Sequence, residues 1–469
     1  MQHMNDHETT EAPSSQGPGI RFTRVGVAVS WLLIAVAIAL WTSGQGAAVE
    51  ESELPESPVA EGLLIDLQSE LFGKIGLGLH DLFPAFSTTS QAAPLAVGGA
   101  ADQLAHAILV SVDSIESGRE EVLEIQRSEP GDPVVEMAAP WILAAFDAIE
   151  DGTPLASSTA DALVERFGWY GSLLVAMTSE GGLEGVAGAA ARTVVTMLVI
   201  GGTMFLAAVL GFLGLIIVLV LALTGSLRSG VATSGHHGIY AETFAGWLLL
   251  LLGLQYVAGL VSPPGLEPLS GTVAFFASLV MLAWPVVRGL PWATVRADIG
   301  LARPRAMDVP MGVAGWAMAL PFMAVGLGLT LVLTFVVELL SGAAPEAGHP
   351  AQQAIFGAGT WTIVQVFILA TVAAPIVEEV MFRGVLLTHL RGASRAVPIA
   401  LSLLFAMLVS SVIFAVIHPQ GLLFVPPLAG LAVGFCIIRE IRGSIVPAIV
   451  AHAVSNGMVM TLNIVLAAS

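Results

Sequence analysis

Long apolar runs alternate with short polar stretches along most of this chain, and a helix needs about 20 mostly apolar residues to cross the hydrocarbon core of a bilayer. That ruler predicts one early span at 25–41 and eight later ones at 193–223, 241–261, 270–287, 311–340, 361–389, 397–417, 421–438 and 444–467. The expected fold is all-α and integral to the membrane, a polytopic helical bundle of about nine transmembrane helices. Between the first and second spans the pattern changes. Residues 45–190 open on EESELPESPVAEG and later carry apolar residues at helical spacing, as in Leu104, Ile108, Val112 and Ile115, and in Trp141, Ile142, Ala145 and Ile149. This segment reads as a disordered lead followed by short amphipathic helices, a partly helical extramembrane region that is either a solvated spacer or a partner-binding domain. The chain shows no internal repeat.

Composition agrees: 55% hydrophobic against 11% charged, with mean hydropathy +0.84, lies outside the range of soluble chains. The net charge of −19 has one source. Residues 45–190 hold 24 of the 36 acidic groups and only Lys74, Arg119, Arg127 and Arg166 as bases. Binding to nucleic acid through phosphate neutralisation is therefore not expected. A single cysteine, Cys436, excludes an intrachain disulfide and a cysteine metal cluster.

Arginines test the span count. With the N-terminus in the cytoplasm, the inner side receives Arg21, Arg24, Arg228, Arg288, Arg296, Arg303, Arg305, Arg391, Arg395, Arg439 and Arg442, while the outer loops at 262–269, 341–360 and 418–420 hold no Lys or Arg. This is the positive-inside pattern, and an error of one span would destroy it. The expected organisation is a cytoplasmic tail at 1–24, a signal anchor at 25–41, an acidic extracytoplasmic segment at 45–190, spans of unassigned role at 193–290 and a final domain at 295–469. A cleaved signal peptide shares the basic flank and apolar run of 25–41, but this run is longer than a typical signal core and begins after some 24 polar residues.

Ionisable groups at membrane depth are costly and usually line a bundle interior or a wet cavity. In spans two to five they are confined to Glu242 and Glu338, near span ends. The last four spans hold Glu378, Glu379 and Arg383 in PIVEEVMFRG, His418 in FAVIH, and His452 with Asn456 in HAVSN. Glu379 and Arg383 are i,i+4 neighbours suited to an internal ion pair. Glu378 lies about 100° around the helix and is left to face something else. His452 and Asn456 share one stripe, where the plain reading is inter-helix hydrogen bonding. Together, however, a carboxylate, two imidazoles and a carboxamide supply a base for water, a group to orient it and donors for an oxyanion. Glu378, His418 and His452 are also a ligand set for a divalent metal, and the residues alone leave both chemistries open.

The order E-E-x-x-x-R, F-x-x-x-H, H-x-x-x-N, standing here as Glu378-Glu379-Val-Met-Phe-Arg383, Phe414-Ala-Val-Ile-His418 and His452-Ala-Val-Ser-Asn456, resembles the CPBP family of intramembrane glutamic endopeptidases. That family includes the CAAX prenyl protease 2 type and bacteriocin-processing relatives. ADIGLARPR at 297–305 is similar to the stretch ahead of the family's core, and the likeness covers about 295–469. It implies a peptide-bond hydrolase working within the bilayer, with the last four or five helices as catalytic core and no obligatory cofactor. Glu378 would be the base that activates water together with His418. His452 and Asn456 would stabilise the oxyanion, and Glu379 and Arg383 would support the site. The expected partners are the lipid bilayer and a membrane-associated peptide or protein. The expected location is a cell membrane, bacterial in style, which favours an unprenylated substrate such as a leader peptide. A non-catalytic scaffold or immunity-type protein is the alternative; a proton-coupled transporter is disfavoured by the absence of inverted repeats.

One tension accompanies this reading. Counting about 1.5 Å per residue, Glu378 and His452 reach similar depth, but His418 falls near the outer end of its span. Either 397–417 begins later or tilts, or 385–397 is interfacial, or Pro375 breaks the preceding helix.

Overall fold

The structure, a computed structural model, describes residues 23–468 apart from 53–63, 66, 90, 227, 232–234, 303, 342–354, 356 and 357. Most of the expected tail at 1–24, the expected disordered lead and the loop at 341–360 thus lie outside the described residues. Among the described residues the chain is all helix, and nine helices are long and apolar enough to cross a membrane. We number the helices α1 Arg24–Ser52, α2 Leu67–Leu82, α3 Ala100–Asp113, α4 Ile115–Ser128, α5 Pro133–Asp151, α6 Ser157–Met177, α7 Gly182–Leu223 and α8 His237–Val261. There follow α9 Glu267–Val287, α10 Trp292–Asp298, α11 Asp308–Ser341, α12 Thr360–Ala393, α13 Ile399–Val416, α14 Val425–Arg442 and α15 Val446–Ala468.

Each of the nine expected spans coincides with one such helix, with ends shifted by a few residues in most cases. The exception is α7, which begins at Gly182 rather than near 193. It runs 42 residues without interruption, about 63 Å and twice the thickness of a bilayer core. Its first turns bury Ala187 and Ala190 among the acidic segment's own residues, whereas Leu198, Phe205 and Leu206 stand exposed as a lipid-facing surface would. Apolar periodicity marks where a helix enters lipid, not where it starts.

The chain divides into two compact units. One comprises Gly44–Phe212, Glu346–Thr371 and Val454–Ser469. Here the acidic segment forms α2 to α6 around a core that includes Leu104, Ile108, Ile142, Phe146, Phe167 and Tyr170. Local chemistry sets the helix ends. Asp132 caps α5 by accepting from the N–H groups of Val134 and Val135, Pro133 takes the first turn, and Gly152 closes it at φ 64°. The single lysine, Lys74, is buried; its Nζ pairs with Glu70 at 2.7 Å and donates to the Leu466 carbonyl, in the last turn of α15, at 3.0 Å. That carbonyl is one a helix end leaves unsatisfied.

The other unit comprises Met1–Ser43, Leu213–Pro345 and Val372–Ala453. Its core gathers Ile34 and Ala37 of α1, Phe244 and Trp247 of α8, Phe382 and Leu386 of α12, and Phe414 of α13. The indole Nε1 of Trp31 donates to His389 Nε2 at 3.1 Å, and His389 Nδ1 donates to the His237 carbonyl at 2.8 Å, so α1 is built into this core. In lipid, helices associate by close packing of small residues rather than by apolar burial. Between α11 and α14 this is explicit: a Cβ at Gly434 would stand 2.3 Å from the Cβ of Ala319, and one at Gly430 would stand 2.4 Å from the Phe322 carbonyl oxygen. That contact sets the position of α14, which carries Phe435 and Arg439.

Candidate functional site

Helix α12 carries three of the expected site residues and is wound irregularly around them. Two π-helical stretches, Leu369–Ala373 and Val380–Leu386, flank the α-helical turn Ala374–Glu379. Such stretches are rare and concentrate at functional sites. They also fit more residues into each turn, so the uniform rise used above overstates how far Glu378 lies along α12. Pro375 does not break the helix; it occupies the first turn after the first π stretch, where its missing N–H costs least.

Glu379 and Arg383 form the expected pair, with Nη1 donating to Oε1 at 2.8 Å and both side chains fully buried. Charges this deep need further partners, and they have them. Arg383 Nη2 donates to the Ala432 carbonyl at 3.3 Å, and its guanidinium lies 4.4 Å from the ring centre of Phe414 and 5.3 Å from that of Phe435. Glu379 Oε1 also accepts from His452 Nδ1 at 2.9 Å. The sequence offered no sign of that third bond, which joins residues 73 positions apart.

Glu378 points elsewhere. Its Oε2 lies 3.7 Å from His418 Nε2 and 3.9 Å from His452 Nε2, and makes no hydrogen bond to a described residue. His418 stands just beyond the end of α13, where its Nδ1 donates to the Phe414 carbonyl at 2.6 Å. His418 thus meets Glu378 from the end of its helix, where the residue count had placed it. Both imidazoles are oriented by acceptors: a carbonyl oxygen for His418, and for His452 the carboxylate that pairs with Arg383. In the neutral form of each ring the proton therefore sits on Nδ1, and the Nε2 lone pair is turned toward Glu378. Phe435 stacks on His452 with ring centres 5.3 Å apart at 22°, and Phe414 lies 4.2 Å from the His418 ring. These aromatic supports other than Phe414 fall outside any motif; only their α-helical neighbourhood in α14 could have hinted at them.

Asn456 lies one turn beyond His452 on α15, and its carboxamide donates to the Ala370 carbonyl at 2.8 Å. Among the described residues no group of three His, Cys, Asp or Glu side chains is arranged to hold a metal ion. A cluster the sequence reading passed over lies near the arginine-rich helix ends. There Arg391 pairs with Glu440 at 2.9 Å, Arg442 with Asp308 at 2.9 Å, and buried Arg439 Nε donates to the Arg383 carbonyl at 3.3 Å.

Comparison with known protein families gives a match to the last part of the chain. Residues 360–458, about a fifth of the chain, fit the family described as type II CAAX prenyl endopeptidase Rce1-like. Neither the curated proteins nor the solved structures contain a match. The matched stretch holds Glu378, Glu379, Arg383, His418, His452 and Asn456, and agrees with the likeness seen in the three motifs. Over residues 360–458 this polytopic membrane protein is thus similar to the Rce1-like type II CAAX prenyl endopeptidases, the likeness that its three motifs led one to expect.

Proposed function

We propose that the protein hydrolyses a peptide bond of a membrane-embedded peptide or protein with water activated by Glu378 and His418. The observation that carries this reading is the approach of two Nε2 atoms to within 4 Å of one Glu378 carboxylate oxygen, each imidazole having its Nδ1 side fixed. A water held there would donate a hydrogen bond to the His418 Nε2 lone pair and lose its other proton to Glu378 as its oxygen, keeping the first hydrogen, attacks the scissile carbonyl. Glu378, now protonated, would return that proton to the departing amine, so the base is regenerated within one cycle.

His452 then has a narrower role. With Nδ1 committed to Glu379, it can donate to an oxyanion from Nε2 only as an imidazolium, whose charge the oxyanion itself offsets, Glu379 being already paired with Arg383. The Asn456 carboxamide, one turn further, would be the second donor. Unprenylated substrates suit a bacterial inner membrane, the location we infer from the early anchor, the acidic segment and the Ala/Gly-rich spans; the arginine pattern supports a cytoplasmic N-terminus.

The test compares membrane-fraction proteomes of cells carrying wild type or Glu378→Gln, each with and without a chelator. Substrates should accumulate uncleaved in the variant alone. Equal processing by the variant would remove the mechanism. Loss of wild-type cleavage in chelator would instead assign Glu378, His418 and His452 to a divalent cation.

A further inference from the structure

A second site lies at the arginine-rich ends of the bundle, apart from the glutamate pair. A polar cavity of about 350 Å³ is lined by Gly230, Gly300, Arg305, Asp308, Arg442 and Gly443, among others. It sits where α11 begins at Asp308, α14 ends at Arg442 and α15 begins at Val446, so three apolar spans meet one bilayer surface there. Its floor depends on glycine. Gly300 and Gly443 have φ of +85° and +67°, and a Cβ at Gly443 would stand 2.6 Å from the Gly230 carbonyl oxygen. Backbone bonds from Gly230 to the Glu440 carbonyl and from Ile445 to the Gly300 carbonyl close that floor.

The charges around the cavity do not cancel. Arg391 pairs with Glu440 and Arg442 with Asp308. Arg439, directly behind Gly300, donates to the carbonyl oxygens of Gly443, Asp298 and Arg383, and the Asp298 carboxylate accepts from Tyr240. Arg305 is exposed at the cavity and pairs with no carboxylate among the described residues, and Arg442 Nε makes no hydrogen bond to a described residue. Arginines 305, 391, 439 and 442 thus stand against Asp298, Asp308 and Glu440, one positive charge in excess.

We propose that this cavity binds the phosphate of an anionic phospholipid headgroup, held by Arg305 and Arg442. The guanidinium fork matches phosphate oxygens, and an uncompensated arginine at headgroup depth favours a net-negative lipid over a zwitterionic one. Arg439 links the cavity floor to the Arg383 backbone, so an occupied cavity would also brace the helix that carries the glutamate pair.

Native mass spectrometry of the full-length protein in detergent, titrated with phosphatidylglycerol or phosphatidylcholine, tests the site. Wild type should retain phosphatidylglycerol selectively. Arg305→Gln should weaken that binding about fivefold, the effect of one interfacial arginine. Arg296→Gln removes an equal charge from an exposed position of α10 that is not part of the cavity lining, and should leave the affinity unchanged. Equal losses in the two variants would mean general surface attraction, and unchanged binding in Arg305→Gln would remove the site; either result overturns the proposal. Complete displacement of the lipid by millimolar inorganic phosphate would likewise overturn it, in favour of a free-phosphate site.

Discussion

Among the described residues two i,i+4 ion pairs hold a buried cation, one in each unit, and their third partners differ. Glu70 and Lys74 lie in the acidic segment, where the spare capacity of the ammonium goes to a helix-end carbonyl, that of Leu466. Glu379 and Arg383 lie in α12, where the spare capacity of the carboxylate goes to an imidazole, that of His452. A carbonyl cannot change its protonation state and an imidazole can. In the mechanism proposed above, the same local motif is a clamp in the first setting and part of a proton-handling device in the second, and the third partner decides which.

The sharpest way to break this contrast is to remove the carboxylate next to the second pair while leaving the pair intact. Glu378→Gln should lower cleavage by about 10²-fold or more, the scale of a lost general base, with an unfolding midpoint in detergent close to wild type. An equally large loss of stability would place Glu378 in the packing rather than the chemistry. Glu379→Ala attacks the pair itself. It strands Arg383 in a fully buried position and should cost about 3–5 kcal/mol, read by thermal unfolding, together with activity.

Lys74→Met tests the clamp. It should cost about 2 kcal/mol, the value of a buried charged hydrogen bond, and leave the chemical step untouched once substrate is saturating. A fall in saturated turnover as large as that of Glu378→Gln would erase the distinction between the two pairs. The smallest effect is expected from Trp31→Phe, which removes one hydrogen bond to His389 and keeps most of the ring packing. About 1 kcal/mol, measured by denaturant titration, would show that α1 is retained as a working part of the bundle.

Sequence reading went far here because membrane insertion is a local property. Each span announces itself by its own residues, and Glu379–Arg383 follows from helical spacing alone. What it could not supply were pairings between distant helices. The bonds from His452 to Glu379 and from Trp31 to His389, and the stacking of Phe435 on His452, depend on how α1, α12, α14 and α15 pack. Counting helical rise put His418 at the end of its span, which is where it stands, but could not show that Glu378 meets it there. The long α7 was missed for a different reason: its opening turns, GLEGVAGAAAR, are small and polar enough to resemble a loop.

Lys74 carries a last, practical consequence. It is the only lysine in the chain and is buried, so an amine-directed reagent has no internal target until α2 and the end of α15 part. Apart from a chain amino terminus, the rate of labelling would then report the frequency of that one local opening. The native protein thus carries a built-in chemical clock for how often its final helix lets go.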